Sequence, residues 1–214
     1  MKKILIIGSN SDIAKSLIIE GKYEFIKISR SESLDFNILD KSTFPRLESL
    51  DGIVYFPGTI NLKPFSNFKE KDFKNDYEIN VLGLINILQF YYNSLNNNSS
   101  IVTLSSIAAN FGMPYHTSIS MCKSSVEALT KSLAAEWAPK IRLNCIAPSL
   151  VSTQLSSRLI NSDIKKETIA KKHPLKKIGQ PHDISNTVSF LLSEKSKWIT
   201  GQIIRVDGGL STIR

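Results

Sequence analysis

Ile4-Leu5-Ile6-Ile7-Gly8-Ser9-Asn10-Ser11-Asp12-Ile13-Ala14 is the stretch that decides the fold. Four consecutive apolar residues, three of them β-branched, have the length and character of a strand buried on both faces, and Gly8 ends the run. A short polar turn leads into the segment 13–20, so the stretch reads strand, turn, helix. Further β-branched runs stand at 25–29, 52–56, 100–104, 141–146 and 202–206, separated by segments of helix length. That alternation predicts a Rossmann-like, doubly wound α/β fold with a parallel sheet and helices on both faces. One interval is too short: only residues 30–33 separate the second strand from Leu34-Asp35-Phe36, whereas a parallel neighbour needs a crossover of about a dozen residues. Residues 34–36 therefore cannot form the next parallel strand, and six strands are expected, without the usual outer one.

At 214 residues the chain fits a single domain over 1–214, given a prior of roughly 150 residues per domain. With 42% hydrophobic and 21% charged residues it has a globular composition. Lys plus Arg number 27 against 19 Asp plus Glu, a formal charge of +8 that favours anionic partners or serves solubility. The apolar run after Met1-Lys2-Lys3 is too short for a secretory signal, and no run is long enough to span a membrane, so a cytoplasmic protein is expected. Cys122 and Cys145 are too far apart for a local metal pair and read as small core residues; no metal site is expected.

The segment 72–92 carries Phe73, Tyr77, Val81, Leu84, Leu88 and Tyr91 at helical spacing, and 118–138 carries Val126, Leu129, Leu133 and Trp137 before Pro139 stops it. Both stripes read as core. Between them, the Asn/Ser-rich residues 93–100 read as a solvated loop. A candidate lid at about 155–178 concentrates Lys165, Lys166, Lys171, Lys172, Lys176 and Lys177. These form either a solvated helix face or a basic rim for an acidic carrier, coenzyme A or a phosphate. Without aromatic interleaving or a recognised module, a nucleic-acid surface is not expected.

The turn after the first strand brings backbone N–H groups and a helix N-terminus towards an anion such as a pyrophosphate. Together with Asp35-Phe36, Gly58, Ile141-Arg142-Leu143-Asn144-Cys145-Ile146-Ala147-Pro148 and Trp198-Ile199-Thr200-Gly201-Gln202, it resembles the short-chain dehydrogenase/reductase family across essentially the whole chain. The family's T-G-x-x-x-G-x-G turn corresponds to Ile7-Gly8, Asp12 and Ala14, with Asp12 in place of the middle glycine; its carboxylate must point away from a pyrophosphate. The resemblance assigns Gly8, Ser9, Asn10, Ser11, Asp12 and Ile13 to the cofactor's phosphates, Asp35 and Phe36 to its adenine, and Gly58, Asn80, Lys123, Pro148, Val151 and Thr153 to its nicotinamide half. Ser29-Arg30 stands where an acidic residue would accept ribose hydroxyls. Arg30 therefore favours a 2′-phosphate and NADP(H), with NAD(H) as the alternative. Both asparagines of the family's N-N-A-G are missing from Tyr55-Phe56-Pro57-Gly58, while Pro148 with Ser149-Leu150-Val151-Ser152-Thr153 is similar to its P-G-x-x-x-T.

The family's catalytic positions correspond to Asn80, Ser106 and Lys123, but its tyrosine, four residues before the lysine, is Ile119 here. Residues four apart lie on one helix face, and isoleucine moves no proton. Losing a positioned acid costs about 10²–10⁴-fold. Tyr115 and His116 are the nearby substitutes. The resemblance implies an NADP(H)-dependent oxidoreductase with an altered proton-transfer site, resembling 3-oxoacyl carrier-protein reductases, acting on a small carbonyl, imine or enone or on a carrier-bound acyl group, as a homodimer or homotetramer. The alternative is a noncatalytic cofactor-binding partner of an active relative.

Overall fold

The computed structural model describes residues 1–30 and 35–213. Six strands, β1 (Lys3–Ile7), β2 (Glu24–Ile28), β3 (Leu50–Tyr55), β4 (Leu95–Leu104), β5 (Ile141–Pro148) and β6 (Ile203–Val206), form one sheet in the order β2-β1-β3-β4-β5-β6. Every pairing is parallel. β2 is the outer strand, and the described residues between β2 and β3 contain only a short 3₁₀ turn, Lys41–Thr43. The short interval after β2 thus has its expected consequence, although Leu34 lies outside the described residues. Phe36 is buried and packs on Phe44 at 5.4 Å, filling the place below this end of the sheet.

The pleat divides the core in two. Ile4, Ile6, Val54, Val102 and Ile146 face α1 (Asp12–Ile19) and α6 (Pro181–Leu192) through Leu17, Ile184, Val188 and Leu191. Their neighbours Leu5, Ile7, Ile53, Tyr55, Ile101 and Cys145 meet α3 (Gly83–Tyr91) and α4 (Thr117–Trp137) through Leu84, Ile87, Leu88 and Val126. Successive residues of one apolar run therefore serve opposite faces, which is why the runs do not alternate with polar residues. Each such Leu or Ile contributes about 1.5–3 kcal/mol by leaving water. Both cysteines are free, buried thiols.

Two expectations require correction. The stretch 93–100 is not a solvated loop: from Leu95 onwards it belongs to β4, with Leu95 buried and paired to Leu50. Asn96 donates to Asp51 at 2.8 Å, and the register shifts between Leu50 and Gly52 while Asn98 takes a φ of 67°. A bulge thus lets a polar sequence enter a strand. The expected helix over 72–92 is also not uniform. α2 (Glu70–Tyr77) passes through a π-helical turn, Glu78–Leu82, into α3. No helix among the described residues is long and apolar enough to cross a membrane. α5 (Asp163–Lys172) buries none of its residues.

Candidate active site

A cavity of about 1120 Å³ opens where β1, β3, β4 and β5 end, its wall running from Gly8 through Gly58 and Ser106 to Pro148. Strand order reverses between β1 and β3, and such switch points leave a crevice beyond the strand ends.

At β1, Gly8 adopts a φ of +78°, and a methyl group there would stand 3.1 Å from the Pro57 ring. Both conditions require glycine. Ser11 caps α1 by accepting the Ala14 N–H at 3.2 Å. The Asp12 carboxylate accepts the Gln154 N–H at 2.6 Å and so is taken up by the opposite wall. Asn10 donates to Ser29 Oγ at 3.0 Å, joining the ends of β1 and β2. Gly8, Asn10, Ser11, Asp12, Ile13, Arg30 and Phe36 line the cavity; Ser9, which is buried, and Asp35, which is exposed, are not among its lining residues.

The centre is built around the π turn. Its widened backbone leaves the Ile79 carbonyl to the Tyr55 hydroxyl, which donates at 2.6 Å. Burial pushes the Tyr55 phenol far up, keeping it protonated as a donor. Tyr55 thus supplies a bond between β3 and the helix where the asparagines are absent. A methyl on Gly83 would fall 2.6 Å from that hydroxyl, so glycine is required by the close approach. Asn80 donates to the Asp76 carbonyl at 2.8 Å and to Thr59 Oγ1 at 2.9 Å. The buried Asp76 carboxylate accepts from Thr59 at 2.7 Å and from Ser118 at 2.6 Å. Asn80 Oδ1 is buried and has no partner among the described residues.

Lys123 reaches the same place from α4. Its ammonium donates to the Leu104 carbonyl at 2.9 Å, and burial pushes it down to about 8. A methyl at Gly58 would lie 3.3 Å from Asn80 Oδ1 and 3.5 Å from Lys123 Nζ. An acceptor, a cationic donor and a glycine that leaves them uncovered therefore converge, an arrangement suited to hydroxyl groups of a ligand. Gly58 and Lys123 line the cavity, whereas Asn80 lies just behind it.

Ser106 follows β4 and accepts the Ala108 N–H at 3.2 Å. Its loop is tied to α4 because Glu127 accepts from Ser105 at 2.8 Å and from Asn110. Ser106, Ile119 and His116 line the cavity, the His116 ring meeting the Pro114 carbonyl at 2.7 Å. Tyr115, with φ of +68° and 58% exposed, is not among the lining residues. Beyond β5, Pro148, Val151 and Thr153 also line it; Val151 bridges to Gly179, and Thr153 caps the turn Gln154–Leu159. The turn and α5 form the rim within 155–178, contributing Leu155, Ile169 and Lys172.

Spacing did not reveal Tyr55, Thr59, Asp76 or Ser118, because each acts through a partner distant in sequence. Ser149 and His173 also line the cavity and stand 2.8 Å apart. Neither was singled out by spacing or by the family pattern.

The family model described as enoyl-(acyl carrier protein) reductase matches residues 31–211. The chain is 31% identical to 3-oxoacyl-(acyl-carrier-protein) reductase FabG of Staphylococcus aureus over 188 residues, 86% of this chain and 76% of that one. It is 34% identical to the FabG of Thermotoga maritima over 145 residues, 66% of this chain but 58% of that relative's length. Among solved structures, a short chain dehydrogenase family protein from Francisella tularensis superposes with a TM-score of 0.86 at 28% identity, covering 99% of both chains. A Tyr-to-Phe variant of ElxO with NADPH bound gives 0.82 at 25% identity, covering 98% of both. Matched over most of its length by that family model and by these relatives, the chain belongs to the short-chain dehydrogenase/reductase family.

Proposed function

We propose that the protein is an NADP(H)-dependent oxidoreductase whose proton-transfer site lacks the family's tyrosine, acting on a small carbonyl, imine or enone or on a carrier-bound acyl group. The carrying observation is the convergence, beside Gly58, of the buried Lys123 Nζ and of Asn80 Oδ1, which has no partner among the described residues, at the wall of a cavity that the Gly8 turn and Arg30 also line. A dinucleotide would be held by its pyrophosphate at the α1 N-terminus and by a ribose at Asn80 and Lys123, with Pro148, Val151 and Thr153 at its nicotinamide. It would supply or accept a hydride there; the chain's own residues orient the substrate, shed water and move the proton. Arg30 supports the phosphorylated form, since a guanidinium pairs with a phosphate and Ser29-Arg30 stands at the sequence position where an acidic residue would accept hydrogen bonds from ribose hydroxyls. The ElxO variant that holds NADPH supports cofactor binding by this fold.

The rim over 155–178 acts as a lid, and the protein is a single cytoplasmic domain that assembles as a homodimer or homotetramer. Ile119 lines the cavity one turn before Lys123, which favours a second reading, a noncatalytic NADP(H)-binding partner of an active relative. Titration with NADPH and NADH, followed by oxidation of bound NADPH against ketones, imines and enones, tests both. NADPH should bind at least about tenfold more tightly than NADH, and Arg30→Ala should remove that preference, a change of about 1.4 kcal/mol. Equal affinities would refute the 2′-phosphate assignment, and tight binding without turnover would favour the noncatalytic reading.

A further inference from the structure

We propose that Ser149 and His173 are the proton-transferring pair of this site, with Ser149 as the catalytic residue that meets the substrate oxygen and His173 as the base behind it. The inference rests on the oxidoreductase reading above.

The assignment follows from hydrogen-bond polarity. His173 is 2% exposed, and its Nδ1 stands 2.9 Å from the Ile169 carbonyl. A carbonyl only accepts, so Nδ1 carries the proton and in the neutral ring Nε2 keeps its lone pair. Ser149 Oγ lies 2.8 Å from that Nε2, so the serine hydroxyl donates to it. The result is a serine whose proton is held by an oriented imidazole, the arrangement that activates hydroxyl groups. Gly208, with φ of +61°, runs beside the ring: a methyl there would lie 3.5 Å from its Cδ2. Both residues line the cavity, and Ser149 directly follows Pro148. Ile119 of α4 lines the same cavity and carries no proton to transfer. The position after Pro148 is glycine in the family pattern, so the hydroxyl is an addition of this chain.

In the direction of alcohol oxidation, the substrate O–H bond breaks and its proton passes to Ser149 Oγ, while the Ser149 proton passes to His173 Nε2. The electron pair of the broken bond becomes the second carbon–oxygen bond as the carbon gives up a hydride to the oxidised dinucleotide. Reduction is the reverse, with the His173 imidazolium as the proton source and Ser149 as the group that protonates the substrate oxygen.

The test compares the parent with Ser149→Ala, Ser149→Gly, Ser149→Thr and His173→Gln, in three measurements. NADPH affinity is measured first and should stay within about twofold in all the Ser149 variants, which also shows that they fold. Oxidation of NADPH with the carbonyl panel should then fall about 10²–10⁴-fold in kcat for Ser149→Ala, Ser149→Gly and His173→Gln, and be retained within about tenfold by Ser149→Thr, which keeps the hydroxyl. Finally, ¹⁵N NMR of the cofactor-free parent should show His173 protonated at Nδ1 with Nε2 accepting a hydrogen bond, and Ser149→Ala should move the Nε2 resonance towards that of a free ring nitrogen. Should His173→Gln not fold, the NMR comparison and the Ser149 series decide. A parent that binds no NADPH overturns the oxidoreductase reading and this inference with it. A parent that binds NADPH without turning over any of the panel also overturns both, in favour of the noncatalytic reading, whereas variants as active as the parent, or an Nε2 resonance indifferent to Ser149, overturn the pair alone.

Discussion

α4 and α5 border one cavity and are built in opposite ways. α4 runs for 21 residues and buries eight of them, including the polar Ser118, Lys123, Glu127 and Thr130; α5 runs for ten and buries none. Burial makes polar groups expensive unless they are paired, so each buried polar group of α4 has a fixed partner: Asp76 for Ser118, the Leu104 carbonyl for Lys123, Ser105 for Glu127 and Thr103 for Thr130. α5 is held by surface ion pairs such as Lys171–Glu167, each worth about 0–1 kcal/mol. A wall of the first kind holds chemical groups to fractions of an ångström, whereas one of the second kind adapts to what arrives. The cofactor end therefore belongs to the rigid side, and the choice of substrate to the adaptable side.

Removing the buried charge of α4 should have the largest effect. Lys123→Met deletes a charge-assisted bond worth about 1.5–3 kcal/mol, so NADPH affinity at pH 7 should fall roughly 10- to 100-fold by fluorescence titration. Because the folded-state value is lowered to about 8, the parent's affinity should also weaken as pH rises through that value, and the variant's should not. The folded protein binds fewer protons at Lys123 than the unfolded chain between that value and about 10.4, so stability should rise with pH there relative to Lys123→Met. An unchanged affinity would mean that α4 is only a scaffold.

Next in size, Gly83→Val should press on the Tyr55 hydroxyl and Ile38 and lower Tm by roughly 3–10 °C, the consequence of about 1–3 kcal/mol of overpacking. Normal melting would show that the π turn is not locked from below. The smallest change belongs to α5: Ile164, 79% exposed, should accept serine with a Tm shift within about 2 °C. A larger drop would reveal that α5 packs on something, and the contrast between the two helices would fail.

The same contrast explains what the sequence disclosed. Strands appeared as apolar runs because both faces of each are buried, and the missing outer strand followed from the shortness of one interval, residues 30–33. The π turn escaped because one added residue shifts the stripe by less than the width of a helix face, so Val81 and Leu84 remain compatible with regular spacing. The first half of β4 escaped because Asn96 to Asn98 are polar, and only the distant Asp51 and the bulge make them a strand. Many residues matching family patterns, such as Gly8, Gly58, Ser106, Lys123 and Pro148, stand in the cavity wall, whereas Ser9, Asp35 and Asn80 do not line it. Pairs such as Ser149 with His173, or Thr59 with Asp76, could not be read in advance, because their chemistry arises only when the chain brings them within 3 Å.

The bond from the Gln154 backbone to Asp12 joins the first helix to the rim of the cavity across 142 residues. The bond is made within the chain itself, so the two walls brace each other across the place where the α1 N-terminus would hold a pyrophosphate. A brace of that kind lowers the cost of ordering the chain that binding a dinucleotide would otherwise carry. Beyond residue 160 the rim passes into α5, which buries none of its residues and is the part of the wall least tied to the core.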